Sequence, residues 1–242
     1  MDIVNPLEKA AVRNPWAKRS VGEKAFLFFG FVVLSIGLAP LPTLPLCALC
    51  LGLLVLRTQV PLSLFCATMS ALSFFIALGV LPLIFRLSLH GIELIDAGLQ
   101  RAALLLCRSV IASAAVVLFS LTTPLAEVIA WLGRIGLPQT LCYVIMLMYR
   151  MISIMLTTAQ SMWQAQALRL GHSNKRRMVQ SAAAQAASLF VISFTKARNL
   201  GAGLELRADP TAMQVMLPRR QANVIRIIAI SVLFGFIIAA SI

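Results

Sequence analysis

The chain has 242 residues, 60% of them hydrophobic and 12% charged, with a mean hydropathy of +0.92 and a net charge of +13. Soluble domains usually run about 45–50% apolar and about 25% charged, so one soluble core cannot absorb this many apolar residues. The excess of 21 Lys+Arg over 8 Asp+Glu would point to nucleic acid in a soluble chain. In a membrane protein it reads instead as the basic bias of cytoplasmic segments, so no nucleic-acid partner is expected.

Residues 1–23 are polar and basic, with Lys9, Arg13, Lys18 and Arg19. They read as a cytoplasmic lead-in rather than a cleaved signal, because Pro6, Glu8, Pro15 and Glu23 precede any apolar run. Segment 24–121 reads as four spanning helices, with apolar runs at 24–39, 43–56, 60–85 and 102–121. Pro40, Pro42 and Pro45 predict a tight turn. The second run is short for a span, so it tilts or begins within that turn.

Residues 86–101 read as an amphipathic stretch. His90, Glu93 and Asp96 would share one helical face there, but a solvated polar face explains them as well as a metal would, and no metal site is assigned. Arg108 sits near a span end, where its stem allows it to snorkel. The fourth run stops at Thr122-Thr123-Pro124, and segment 122–221 mixes apolar and basic positions as a cytoplasmic domain. A last run, 222–242, reads as a fifth span. With the N-terminus inside, eighteen of the 21 basic residues fall on the cytoplasmic side, and only Arg86, Arg101 and Arg108 fall outside.

Residues 139–158 carry only Arg150 as a charge. A sixth span there would put the following basic segment on the wrong side. They read therefore as a helix in or against the interface, or as part of a hairpin re-entering from the cytoplasm. Arg150 pairs with Glu127 or snorkels to headgroups, a structural role in either case. From 143 no Pro or Gly intervenes until Gly171, which suits a helix C-cap. A basic turn, 172–177, leads into a second helical stretch, 178–200, continued by 201–208 and ended by Asp209-Pro210. Each helix ends in an apolar patch around one arginine, Leu168-Arg169-Leu170-Gly171 and Leu206-Arg207-Ala208. Two readings stay open for Arg169 and Arg207. They are solvated ends favoured by the helix dipole, or guanidinium forks that engage carboxylates and carbonyls of a partner.

LTTP (121–124), LGRIGLPQTL (132–141), MYR (148–150), AQALRLG (165–171) and ARNLGAGLELRAD (197–209), with PWAKRSVGEKAF near the start, resemble the transmembrane T component of energy-coupling factor transporters, the EcfT/CbiQ family. The likeness covers about residues 120–210 and leans toward the cobalt-type members. It implies an all-α membrane scaffold with about five spans and long coupling helices, in a bacterial inner membrane with its N-terminus cytoplasmic. It implies two ATP-binding cassette subunits as partners, docked by Arg169 and Arg207 on their short motifs. It also implies a substrate-binding membrane S component, with or without a small accessory membrane subunit. ATP and Mg would lie on the ATPases, and this chain would hold no cofactor. Here Leu168 and Leu170 flank the first arginine, and Leu206 and Ala208 the second, which departs from the family's Ala-Arg-Gly-like pattern. Cobalt or nickel is the expected substrate, with a biotin or shared vitamin transporter as the alternative.

A membrane-embedded enzyme is the rival of another class. It would need acidic or histidine residues gathered at one depth, and the eight acidic residues are scattered. There is no GxxxxGK[ST] for ATP and no catalytic constellation. Cys47-Ala-Leu-Cys50 has no second ligand pair, so all five cysteines read as small hydrophobes. Met146, Met148, Met151, Met155 and Met162 read as adaptable apolar surface rather than as ligands.

Overall fold

The computed structural model describes residues 6–37, 40–88, 91–94, 98–206 and 223–239. The chain is an all-α integral membrane protein that divides into two compact units. One comprises Leu7–Glu127 and Arg219–Ile242, the other Val128–Pro218 with Met1–Pro6.

The first unit takes in α1 (Pro6–Arg13) from Leu7 onward and a 3₁₀ turn (Pro15–Lys18). The turn forms because Asn14 Oδ1 accepts the Trp16 amide at 2.8 Å, while Pro15 supplies a φ suited to the first position. Then follow α2 (Val21–Gly37), α3 (Pro40–Thr58), α4 (Leu62–Ile84), α5 (Gly98–Thr122) and, after the second unit, α9 (Val224–Ala239). The 23 and 25 residues of α4 and α5 suffice to cross a bilayer, since about 20 residues at 1.5 Å each cover a hydrocarbon core of about 30 Å.

Buried positions on α2 recur at Leu27, Phe28, Phe31, Leu34 and Ser35, and on α5 at Ile111, Ala115, Leu118, Leu121 and Thr122. This three-and-four spacing places one stripe of each helix inward. Cys47 of α3 and Ile237 of α9 complete the core, in which Phe31 meets Phe234 edge-on at 5.4 Å. Gly30 lets the Phe234 ring lie directly against α2, where a Cβ would overlap it. Large apolar side chains such as Phe74, Phe75 and Val33 face outward, where lipid is the solvent.

Two sequence expectations change in this unit. The proline-rich segment is the first turns of α3 rather than a tight turn. Proline is tolerated at a helix start because the first amides have no intrahelical partner, and Pro45 in the second turn forfeits one bond. In the stretch 86–101, the residues described before α5 are strands rather than helix. β1 (Phe85–Ser88) and β2 (Gly91–Leu94) pair antiparallel, with Arg86 opposite Glu93. Phe-Arg-Leu-Ser and Gly-Ile-Glu-Leu each alternate with period two, the signature of a strand. Of the three residues read as sharing a helical face, Glu93 lies in β2, and His90 and Asp96 lie outside the described residues.

The second unit takes in most of α6 (Leu125–Ile135), then α7 (Gln139–Leu168) and α8 (Lys175–Glu205). Gly136 ends α6 at φ +126°, a conformation L side chains rarely adopt, and Pro138 precedes α7. Residues 139–158 belong to one unbroken helix of 30 residues, long and apolar enough to cross a membrane, as is α8 with 31.

Candidate functional site

The end of α7 is built as a closed turn. Arg169 is its C-cap, Leu170 follows in the left-handed region at φ +57°, and Gly171 donates its amide to Gln166 O at 2.9 Å. The Leu170 amide reaches Ala167 O at 3.1 Å. These paired bonds make a Schellman motif, which satisfies carbonyls that a helix end leaves orphaned. Such a motif normally places glycine at the left-handed position. Here the sequence expectation that Gly171 serves this role is corrected, because Leu170 occupies it. Gly171 is needed one residue later. A Cβ there would lie 2.7 Å from Ser181 Oγ and 2.9 Å from the Gln166 carbonyl. The bare Gly171 backbone thus lets α8 close in, and Ser181 Oγ donates to Gly171 O at 3.3 Å.

Further contacts fix the two helices against each other. Gln185 Nε2 of α8 donates to Ala159 O of α7 at 2.6 Å. Trp163 stacks on His172 with ring centroids 4.1 Å apart. The turn therefore stands on a clamped base, while its tip is bare. Leu168 is 86% exposed and Leu170 68% exposed, on either side of exposed Arg169. A non-glycine residue in the left-handed region costs about 1–2 kcal/mol, and water gains nothing from two projecting leucines. Leu206, the C-cap of α8, is 88% exposed in the same manner. Arg207 and Ala208 lie outside the described residues.

Along the α7–α8 pair, Met148, Met151 and Met155 line a shallow apolar groove of about 380 Å³, bounded on α8 by Leu189. Three of the five singled-out methionines thus gather at one surface. Arg150 sits exposed near the middle of α7, and Glu127 lies in the first turn of α6.

In the first unit, two motifs that are far apart in sequence converge. Lys24, from the N-terminal motif, is 1% exposed and donates Nζ to Thr122 O at 3.0 Å. Thr122 belongs to LTTP, all of which is buried. An ammonium at the end of α5 meets the negative pole of the helix and one of its last carbonyls. Sequence reasoning passed over Lys24, which looked like one more basic residue in a cytoplasmic lead-in. Its place among Val21, Ala25 and Phe28 at helical spacing was the available signal. Arg108 is also more than a snorkelling residue, since Nη1 donates to Ile36 O near the end of α2 at 3.3 Å.

Among the described residues no three His, Cys, Asp or Glu side chains form a metal-binding group. Cys47 and Cys50 are free thiols, Cys47 buried within the apolar core of the first unit.

Residues 13–208 match the family described as CbiQ, cobalt transport protein. The chain is 30% identical over 237 residues to the cobalt transport protein CbiQ of Rhodobacter capsulatus, covering 98% of this chain and 97% of that one. It is 24% identical over 241 residues to a putative fused cobalt transport protein CbiMQ of Methanocorpusculum labreanum, covering 93% of this chain but 40% of the relative.

Proposed function

The chain belongs to the CbiQ cobalt transport protein family, and from that premise we propose that it is the non-catalytic transmembrane scaffold of an ATP-driven cobalt importer. Two ATP-binding cassette subunits dock on the ends of α7 and α8. A membrane S component, with or without a small accessory subunit, carries the ion. The chain sits in a bacterial inner membrane with its N-terminus cytoplasmic, as the count of basic residues favours. ATP and Mg belong to the partner ATPases, and this chain holds no cofactor of its own. The relative named as a putative fused cobalt transport protein CbiMQ, of which this chain matches only 40%, is in keeping with a cobalt-transport partner for this chain.

The observation that carries docking is the turn at Leu168–Gly171. It is fixed from beneath by two helices, strained at Leu170 and capped by leucines that water does not solvate well. An arginine fork between apolar flanks suits a groove on a partner that offers carbonyls and carboxylates. When the ATPases close on ATP they would move both helix ends and transmit force into the membrane unit. Glu127 and Arg150 act structurally in this scheme, as charged groups that reach toward headgroups.

The test is cobalt uptake and ATPase copurification in the reconstituted complex, with Arg169→Ala and Arg207→Ala singly and together. Uptake is expected to fail while the chain still inserts, with the double variant losing the ATPases. If assembly and uptake survive both changes, the arginines are solvated helix ends and the docking scheme is wrong.

A further inference from the structure

At one end of the first unit, between the 3₁₀ turn, α2, α3 and α9, lies a cleft of about 360 Å³. Arg19, Lys24, Arg57 and Arg226 line it against a single carboxylate, Glu23. Glu23 is already engaged, by the Asn223 amide and by Arg226 Nη1 at 3.7 Å. Lys24 is turned to the Thr122 carbonyl. The Arg19 guanidinium lies 3.7 Å over the Trp16 ring, which orients it without neutralising it. Burial, then repulsion from Arg226, lower the Arg19 pKa, with Arg57 adding and Glu23 opposing. Four cations thus face one carboxylate in a partly desolvated space. Arg57 and Arg226 are exposed and keep guanidinium donors to offer. The remaining wall is apolar, formed by Leu27, Leu54 and Ile230.

A basic mouth on an apolar wall between membrane helices has the chemistry of a phosphodiester carrying acyl chains. We propose that this cleft binds an anionic phospholipid of the surrounding leaflet, its phosphate held by Arg19, Arg57 and Arg226 and its chains laid along Leu27, Leu54 and Ile230. The lipid bridges the start of α2, the end of α3 and the start of α9, so it ties α9 to two helices near the start of the chain. The site needs only that the chain be embedded in a bilayer, and it stands or falls independently of docking by Arg169.

The experiment is native mass spectrometry of the full chain released from nanodiscs of phosphatidylglycerol mixed with phosphatidylcholine. The wild type is expected to retain one phosphatidylglycerol in preference to phosphatidylcholine. Arg57→Gln and Arg19→Gln should each lower that preference roughly fivefold, the factor matching about 1 kcal/mol per basic residue at an anionic surface. Arg57→Lys should keep most of it, and Arg101→Gln, outside the cleft, should leave it unchanged. Arg57 is exposed, so its variants fold and the comparison is read on them alone if Arg19→Gln does not. Equal retention in wild type and Arg57→Gln overturns the proposal. So does full displacement of the lipid by glycerol 3-phosphate, which would make the cleft a site for soluble phosphate.

Discussion

Leu170→Gly separates the stability of the turn from its use. Leu170 pays a steric cost of about 1–2 kcal/mol at φ +57°. Glycine removes that cost but brings about 0.5–1 kcal/mol of extra chain entropy to the unfolded state. The leucine side chain is 68% exposed, so little burial is lost. The net expectation is a gain of about 0.5–1 kcal/mol, seen as a slightly raised melting temperature of the chain in detergent. Cobalt uptake by the reconstituted complex should nevertheless fall, because the projecting leucine is gone. Gly171→Ala runs the other way in stability. Its Cβ would press on a backbone carbonyl and on Ser181 Oγ, and overpacking of that kind costs about 1–3 kcal/mol. If Leu170→Gly raised the melting temperature and left uptake intact, the leucine would not be a docking residue.

Lys24→Met keeps the buried volume but leaves the Thr122 carbonyl without its ammonium, a loss of about 1–3 kcal/mol, to be read from thermal unfolding in detergent. Gly30→Ala should push the Phe234 ring away from α2, and pairing it with Phe234→Leu should recover part of the lost stability in a double-mutant cycle. Burial raises the pKa of Glu8, in α1, above its ordinary value near 4.5. The folded state therefore holds the Glu8 proton more tightly than the unfolded one. Its contribution to stability is full below pH 4.5 and falls as pH rises through the raised value. Glu8→Gln should accordingly flatten the decline in melting temperature above pH 4.5 and change little below it.

Helix positions in the first unit were readable because lipid demands long apolar runs, and four such runs plus a terminal one correspond to α2–α5 and α9 with ends shifted by a few residues. The motifs around Thr122 and Leu168 were readable as family resemblance, yet their geometry was not. Leu168-Arg169-Leu170-Gly171 suggests a glycine cap, and only the approach of Ser181 decides that Gly171 is the close-contact residue and Leu170 the left-handed one. Phe85–Ser88 and Gly91–Leu94 carry a period of two, while the i, i+3, i+6 spacing of His90, Glu93 and Asp96 suggests a helical face. Backbone pairing decides the described residues, because the antiparallel ladder between the two strands supplies partners for their amides and carbonyls.

Composition alone determined that this chain lives in a bilayer, since hydrophobic excess is additive along the sequence and needs no contacts to express itself. Tertiary structure alone decided which basic residues are spent and which are offered. Lys24 is consumed by a carbonyl 98 residues away, while Arg19, Arg57 and Arg226 are brought to one cleft from positions up to 207 apart. Charge interactions depend on distance in space and on the local dielectric, and neither is written in the order of the residues.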